Sequence, residues 1–185
     1  MIQIPRRTLS SLLAAAALWA EACMGTHPAP KYAWDPKADF APLKSYAWYE
    51  GPGFKPAHGD SIIDGRFIDQ HIRSAVEEAL ARKGFQKTDS ASAGLLVSYS
   101  SGDTAVSDQV KDFDYAWLTG DEITMYEKSR MVAISMRDSG KKLIWLGTIT
   151  RLEGENPEAA GREIHHEIDV LMDHFPPAPG SKPSP

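Results

Sequence analysis

The chain has 185 residues, with 20 Lys and Arg against 25 Asp and Glu, a net charge of −5 and a single cysteine. Mild acidity without any basic cluster excludes the electrostatic footprint of a nucleic-acid binder, and one cysteine excludes an intramolecular disulfide. The length suits one domain around a single core, above the size that needs disulfides or metal to hold together.

Arg6 and Arg7 close a basic start, and Leu9 to Ala20 is apolar except for Ser10 and Ser11. A basic start, a short apolar middle and a small-residue exit make a secretory signal peptide over residues 1–22. A membrane-spanning helix needs about 20 apolar residues, more than this run holds. "LLAAAALWA" has no polar face at helical spacing, which argues against a buried amphipathic helix. Arg6-Arg7-Thr8-Leu9 faintly resembles a twin-arginine signal, although adjacent arginines are common in any basic start.

Cys23 follows directly. Ala20-Glu21-Ala22 fits the small-x-small rule of ordinary signal peptidase, which leaves Cys23 as a bare first residue. The same stretch resembles a bacterial lipoprotein box, in which a cysteine after small residues is diacylated on sulfur and becomes the new N-terminus. Such a box usually has Leu and a small residue where Ala20 and Glu21 stand here. An unpaired thiol in an oxidising compartment calls for an explanation, and attachment to lipid supplies one. Each buried acyl CH₂ contributes about 0.8 kcal/mol, so two or more chains anchor stably where one is marginal. By resemblance to Gram-negative lipoprotein sorting, Met24 after the cysteine, rather than Asp, implies the outer membrane. Cys23 is therefore the expected lipidation site, with soluble periplasmic secretion as the alternative.

Removing residues 1–22 takes away Arg6, Arg7 and Glu21 and leaves a net charge near −6. "GTHPAP" reads as a tether, so residues 23–30 form a lipidated N-terminus. Residues 31–176 form one domain, and 177–185 a Pro-rich tail with almost nothing to bury and expected to be disordered. No internal repeat or second composition regime interrupts the domain.

"KYAWD" and "SYAWYE" are short aromatic strands closed by turn residues. From about Ser61 to Lys83, Ile68, Ile72, Val76, Ala79 and Leu80 recur at helical spacing, opposite Asp69, Arg73, Glu77 and Glu78. Gly65 weakens the first turn, so the regular helix is expected to start near Arg66. Gly84 suits a left-handed stop. "AGLLVSYS" is a strand with Leu95, Val97 and Tyr99 on one face and Leu96 on the other. "RMVAISMRDSGKKLIWLGTIT" is a hairpin turning at Asp138-Ser139-Gly140, with Gly140 available for positive φ. Its return strand is apolar on both faces and so belongs in the middle of a sheet. Asn156-Pro157-Glu158 caps a last helix. Ile164, Ile168, Leu171, Met172 and Phe175 form its buried stripe, and Pro176-Pro177 stops it. The order predicts an α+β fold: an antiparallel sheet with two main helices packed on one face.

Four segments, "ADFAPLKSYAWYE", "AVEEALARKGFQKTDSASAGLLVSYS", "DSGKKLIWLGT" and the closing helix with "DHFPP", together resemble a family of bacterial lipoproteins known only as a domain of unknown function, DUF4136. The resemblance spans about Tyr32 to Pro177 and implies an α+β fold in the cell envelope. It implies no reaction. Family members often carry an acid where this chain has Ser135, so a site built on that carboxylate is not expected here.

"GREIHHEIDVLMDH" gathers Glu163, His165, His166, Glu167, Asp169 and His174. A zincin needs histidines four apart with Glu after the first. After His166-Glu167 the required position holds Val170, and His165 and His166 point about 100° apart on a helix. A solvated helix face is the preferred reading, without metal. "SDQVKDFDYAWLTGDE" opens like a calcium loop at Asp112-x-Asp114 but lacks the third acid, the turn Gly and the closing Glu. It reads as a surface loop or edge hairpin with Tyr115 and Trp117 packing down, the alternative being a partner or ligand surface. There is no Gly-x-Ser-x-Gly elbow and no histidine tied to Ser98, Ser100 or Ser101. "GPGF" opens no helix and so is no phosphate loop.

No catalytic, cofactor-binding or metal-ligating residue is expected, and no cofactor. The expected function is a non-catalytic scaffold or binding role on the periplasmic face of the outer membrane. The chain would meet the membrane through its lipid and would contact an envelope protein partner, with no nucleic acid. The alternatives are a soluble periplasmic binding module and a metal-dependent hydrolase using histidines of the last helix.

Overall fold

The structure, a computed structural model, describes residues 30–50, 65–102, 131–150 and 156–181. Cys23 and the signal peptide, "GPGF", and the stretch holding Asp112, Asp114, Tyr115 and Trp117 lie outside the described residues.

Six strands make one sheet: β1 (Lys31–Trp34), β2 (Ser45–Trp48), β3 (Gln86–Lys87), β4 (Leu95–Gly102), β5 (Met131–Asp138) and β6 (Leu143–Thr150), in the order β1-β6-β5-β4-β2-β3. The hairpin β5–β6 sits inside the sheet, with β4 antiparallel to β5 and β1 antiparallel to β6. Leu143 through Ile149 is buried on both faces, as its continuous apolar run demands.

The hairpin turn departs from the sequence expectation in one respect. The left-handed residue is Lys141, at φ 67°, and Gly140 is not in that region. Asp138 explains the choice. Its Oδ1 accepts from the Lys142 amide at 2.9 Å, and its carbonyl accepts from the Lys141 amide at 2.9 Å. A Cβ on Gly140 would lie 3.2 Å from that same Oδ1. The glycine is thus required for close approach of the Asp138 carboxylate rather than for positive φ.

The sheet is mostly antiparallel but mixed, a refinement of the all-antiparallel expectation. β2 pairs in parallel with both β3 and β4. Helix α1 (Gly65–Arg82) lies between β2 and β3 in the chain, and a crossover through a helix returns the chain in the same direction. β3 is a two-residue edge strand with both side chains exposed, too short and polar to give a sequence signal. Gly84, at φ 83°, turns the chain out of α1, and the Phe85 amide returns to the Leu80 carbonyl at 3.0 Å.

Helix α2 (Pro157–Met172) begins as its sequence requires. The Asn156 side chain accepts from the Ala159 amide at 3.0 Å, with Pro157 in the first turn. Phe175 is buried as expected, but beyond the helix end, since α2 stops at Met172. The two helices run side by side in the same direction: His71 meets Gly161 and His165 near their starts, and Arg82 pairs with Asp169 near their ends.

The sheet has two chemically different faces. Tyr46, Leu95, Val97, Tyr99, Val132, Ile134, Met136, Trp145 and Ile149 face the helices and join Ile72, Val76, Leu80, Ile164, Ile168 and Leu171 in one core. The opposite face carries Ala47, Leu96, Ser98, Ser100, Ala133, Ser135, Arg137, Leu146 and Thr148, all buried as well. Large apolar groups dominate one side, and small or polar groups dominate the other beside Leu96 and Leu146, which fixes the strand register. Gly147 marks the closest seat of α2: a Cβ there would lie 2.7 Å from Leu171 Cδ1 and 2.3 Å from the Trp145 ring.

Candidate functional site

The first turns of α1 and α2 open a shallow cleft of about 470 Å³, lined by Phe67, His71, Glu158, Gly161, Arg162 and His165. The His71 ring lies 4.2 Å from the Phe67 ring and edge-on to His165, with centroids 5.3 Å apart and planes at 80°. Gly161 admits it: a Cβ at that position would fall 2.8 Å from His71 Cε1. His71 Nδ1 is buried without a hydrogen-bond partner. Burial, and secondarily His165, hold the His71 imidazole below its ordinary pKa. His165 Nδ1 lies 3.8 Å from Glu78 Oε2, ion-pair range rather than a hydrogen bond. The cleft therefore brings two imidazoles together, and burial favours the neutral form of one of them, His71.

A second polar cluster sits inside the far face of the sheet. Arg137 is fully buried, and its Nη1 donates to Ser98 Oγ at 3.0 Å and to Ser135 Oγ. The two serine oxygens are 2.8 Å apart. Burial pulls the guanidinium pKa down to about 10, countered by Tyr49, whose ring centre is 6.0 Å from it. Ser98 pairs with Ser135 across β4–β5, and Leu96 with Arg137, so strand register alone assembles the cluster. These serines contact each other and a cation. His71 and His165 belong to the two helices, on the other side of the sheet.

Where α1 crosses β2, aromatic and ionic groups interleave. The Arg73 guanidinium stacks over Trp48 at 4.6 Å and pairs with Asp69 at 3.0 Å and Glu50 at 2.7 Å. Trp48 Nε1 donates to Glu77 Oε1 at 2.7 Å, which also accepts from Lys87 Nζ at 2.5 Å. Burial raises the Glu77 pKa, but Lys87 and Trp48 outweigh it and the net shift is downward. A smaller cavity of about 330 Å³ lies between Trp34 and Phe40 on one side and Pro176 to Ser181 on the other.

The polar residues of the last helix do not converge. His165 turns toward His71, His166 is exposed, Asp169 pairs with Arg82, and His174 stacks on Tyr32 with centroids 4.0 Å apart. Among the described residues, no three His, Cys, Asp or Glu side chains gather into a group able to hold a metal ion unaided. His71 and Arg137 escaped the sequence reading. His71 adjoins the apolar stripe of α1, but its partner is more than ninety residues away and only helix packing brings the two together. Arg137 sits in an alternating strand, where a charge reads as solvent-facing.

No curated protein matches the chain significantly. A solved PDZ domain protein from Parabacteroides distasonis ATCC 8503 is 14% identical, with a TM-score of 0.49 over 80% of this chain and 35% of that one. A DUF4136 family protein from Bacteroides thetaiotaomicron VPI-5482 is 15% identical, with a TM-score of 0.53 over 80% of this chain and 95% of that one, a likeness of fold. The sequence profile of that same family, described only as a domain of unknown function, matches residues 30–177, from just before β1 to just past Phe175. The matched residues take in the whole sheet and both helices: the chain belongs to the DUF4136 family.

Proposed function

We propose that this chain is a bacterial envelope lipoprotein, held by acylated Cys23 at the periplasmic face of the outer membrane. Its domain acts there by binding or scaffolding another envelope component rather than by catalysis. The observation that carries the reading is the place of the only cysteine, directly after the apolar run of the signal peptide. Met24 after it supports outer-membrane sorting. β1 starts at Lys31, eight residues on. Fully extended, those residues reach about 28 Å at most, so acylation would keep the domain close to the bilayer. Among the described residues no helix is long and apolar enough to cross a membrane.

Mass spectrometry of the mature N-terminus tests this directly. Acylation adds the mass of the diacylglycerol, and Cys23→Ala then moves the protein from the membrane fraction to the soluble periplasm. A mature chain starting with an unmodified Cys23, recovered without detergent, supports the soluble periplasmic module instead.

A further inference from the structure

We propose that His71 and His165 form an interhelical two-histidine site for a divalent transition-metal ion of the class that prefers imidazole, such as zinc, copper or nickel. The ring separation matches that of two imidazoles on one ion. An imidazole nitrogen lies roughly 1 Å from its ring centre and a metal–nitrogen bond is about 2.0 Å, so two rings on a tetrahedral ion have centres about 5 Å apart. The observed separation is 5.3 Å, with the planes at 80°.

Three neighbours prepare the pair. Gly161 leaves the His71 ring room against the α2 backbone, where a Cβ would come within 2.8 Å. His71 Nδ1 is a buried nitrogen with no hydrogen-bond partner, an atom whose desolvation a metal bond would offset. Glu78 Oε2, 3.8 Å from His165 Nδ1, is beyond hydrogen-bond distance but brings a negative charge to the pair that favours a bound cation. Glu158 lines the same cleft and offers negative charge against the cation, opposed by Arg162. Two nitrogens and water suit zinc, copper and nickel; calcium and magnesium demand oxygen cages that the cleft lacks. The rings come from two helices, so a bound ion also ties α1 to α2. The site does not depend on acylation of Cys23.

The test titrates copper(II), zinc and nickel separately into the untagged mature protein stripped with chelator. Each of His71→Phe and His165→Phe is expected to weaken binding more than about tenfold, and Glu78→Gln to weaken it by a smaller factor. His166→Ala and His174→Ala leave affinity unchanged. A second measurement needs no variant: substoichiometric copper(II) broadens the imidazole NMR signals of His71 and His165 ahead of those of His27, His58, His166 and His174. Unchanged affinity in the His71 and His165 variants overturns the site. So does broadening that falls first on other histidines, or on none.

Discussion

Gly147 shows how one missing side chain positions a helix. Leu171 and the Trp145 ring occupy the space its Cβ would take, the nearest atom at 2.3 Å. Gly147→Ala must push α2 off the sheet or force Trp145 from its rotamer, so overpacking is expected to cost about 1–3 kcal/mol, read as a lower urea midpoint. On the other face, Ser135 is fully buried and its Oγ accepts from the Arg137 guanidinium. Ser135→Ala removes an acceptor from a buried charge and is expected to cost about 1–3 kcal/mol by the same measurement. Ser139→Ala, an exposed turn position, is expected to stay within about 0.5 kcal/mol. Gly147 was legible only as a glycine within a strand. Its role depends on Leu171 arriving from a helix that begins ten residues later.

Each helix is held by local chemistry at its ends and by its neighbour along its length. Asn156 accepts from the Ala159 amide, so Asn156→Ala is expected to cost about 1 kcal/mol of stability, with Asn156→Asp nearly neutral. Between the helices, titration of His71 has a definite sign. Its pKa is lowered in the folded protein from the usual 6.5, first by burial and then by His165. The unfolded chain therefore binds more protons in the window just below 6.5, and stability falls as pH drops through it. The stabilisation is present in full above that window and is lost as pH falls through the folded-state pKa. The charged and titratable groups facing the pair are Glu158 and Arg162 in the cleft and Glu78 beside His165. In chelator, the urea midpoint of the wild type is expected to fall more from about pH 7.5 to about pH 5 than that of His71→Phe. Equal slopes would remove His71 from this account.

At the scale of the molecule, the sheet is buried on both faces. If Cys23 carries the lipid, the domain stands no more than about 28 Å from the bilayer, with edge strand β1 leading. Inserting about ten Gly and Ser residues after Pro30 is expected to leave membrane fractionation and the urea midpoint unchanged while extending reach. A lowered midpoint would mean that the residues before β1 contribute to the fold. The α+β class was readable because periodicity switches from two to 3.6 and back along the chain. Parallel pairing of β2 was not, because β2 and β4 are far apart in sequence and adjacent only through α1.

The sequence by itself determined the α1 stop at Gly84, the Asn156 cap, the interior place of β6 and the two-helix, one-sheet class. Each rests on interactions among near neighbours or on the burial of a repeating face. Only the tertiary structure decided that Lys141 takes the left-handed turn position, that β2 runs parallel to β4, that Arg137 is buried between serines, and that His71 meets His165. The last three join residues distant in the chain. The turn depends on where one carboxylate settles, and that is fixed by folded geometry rather than by residue type.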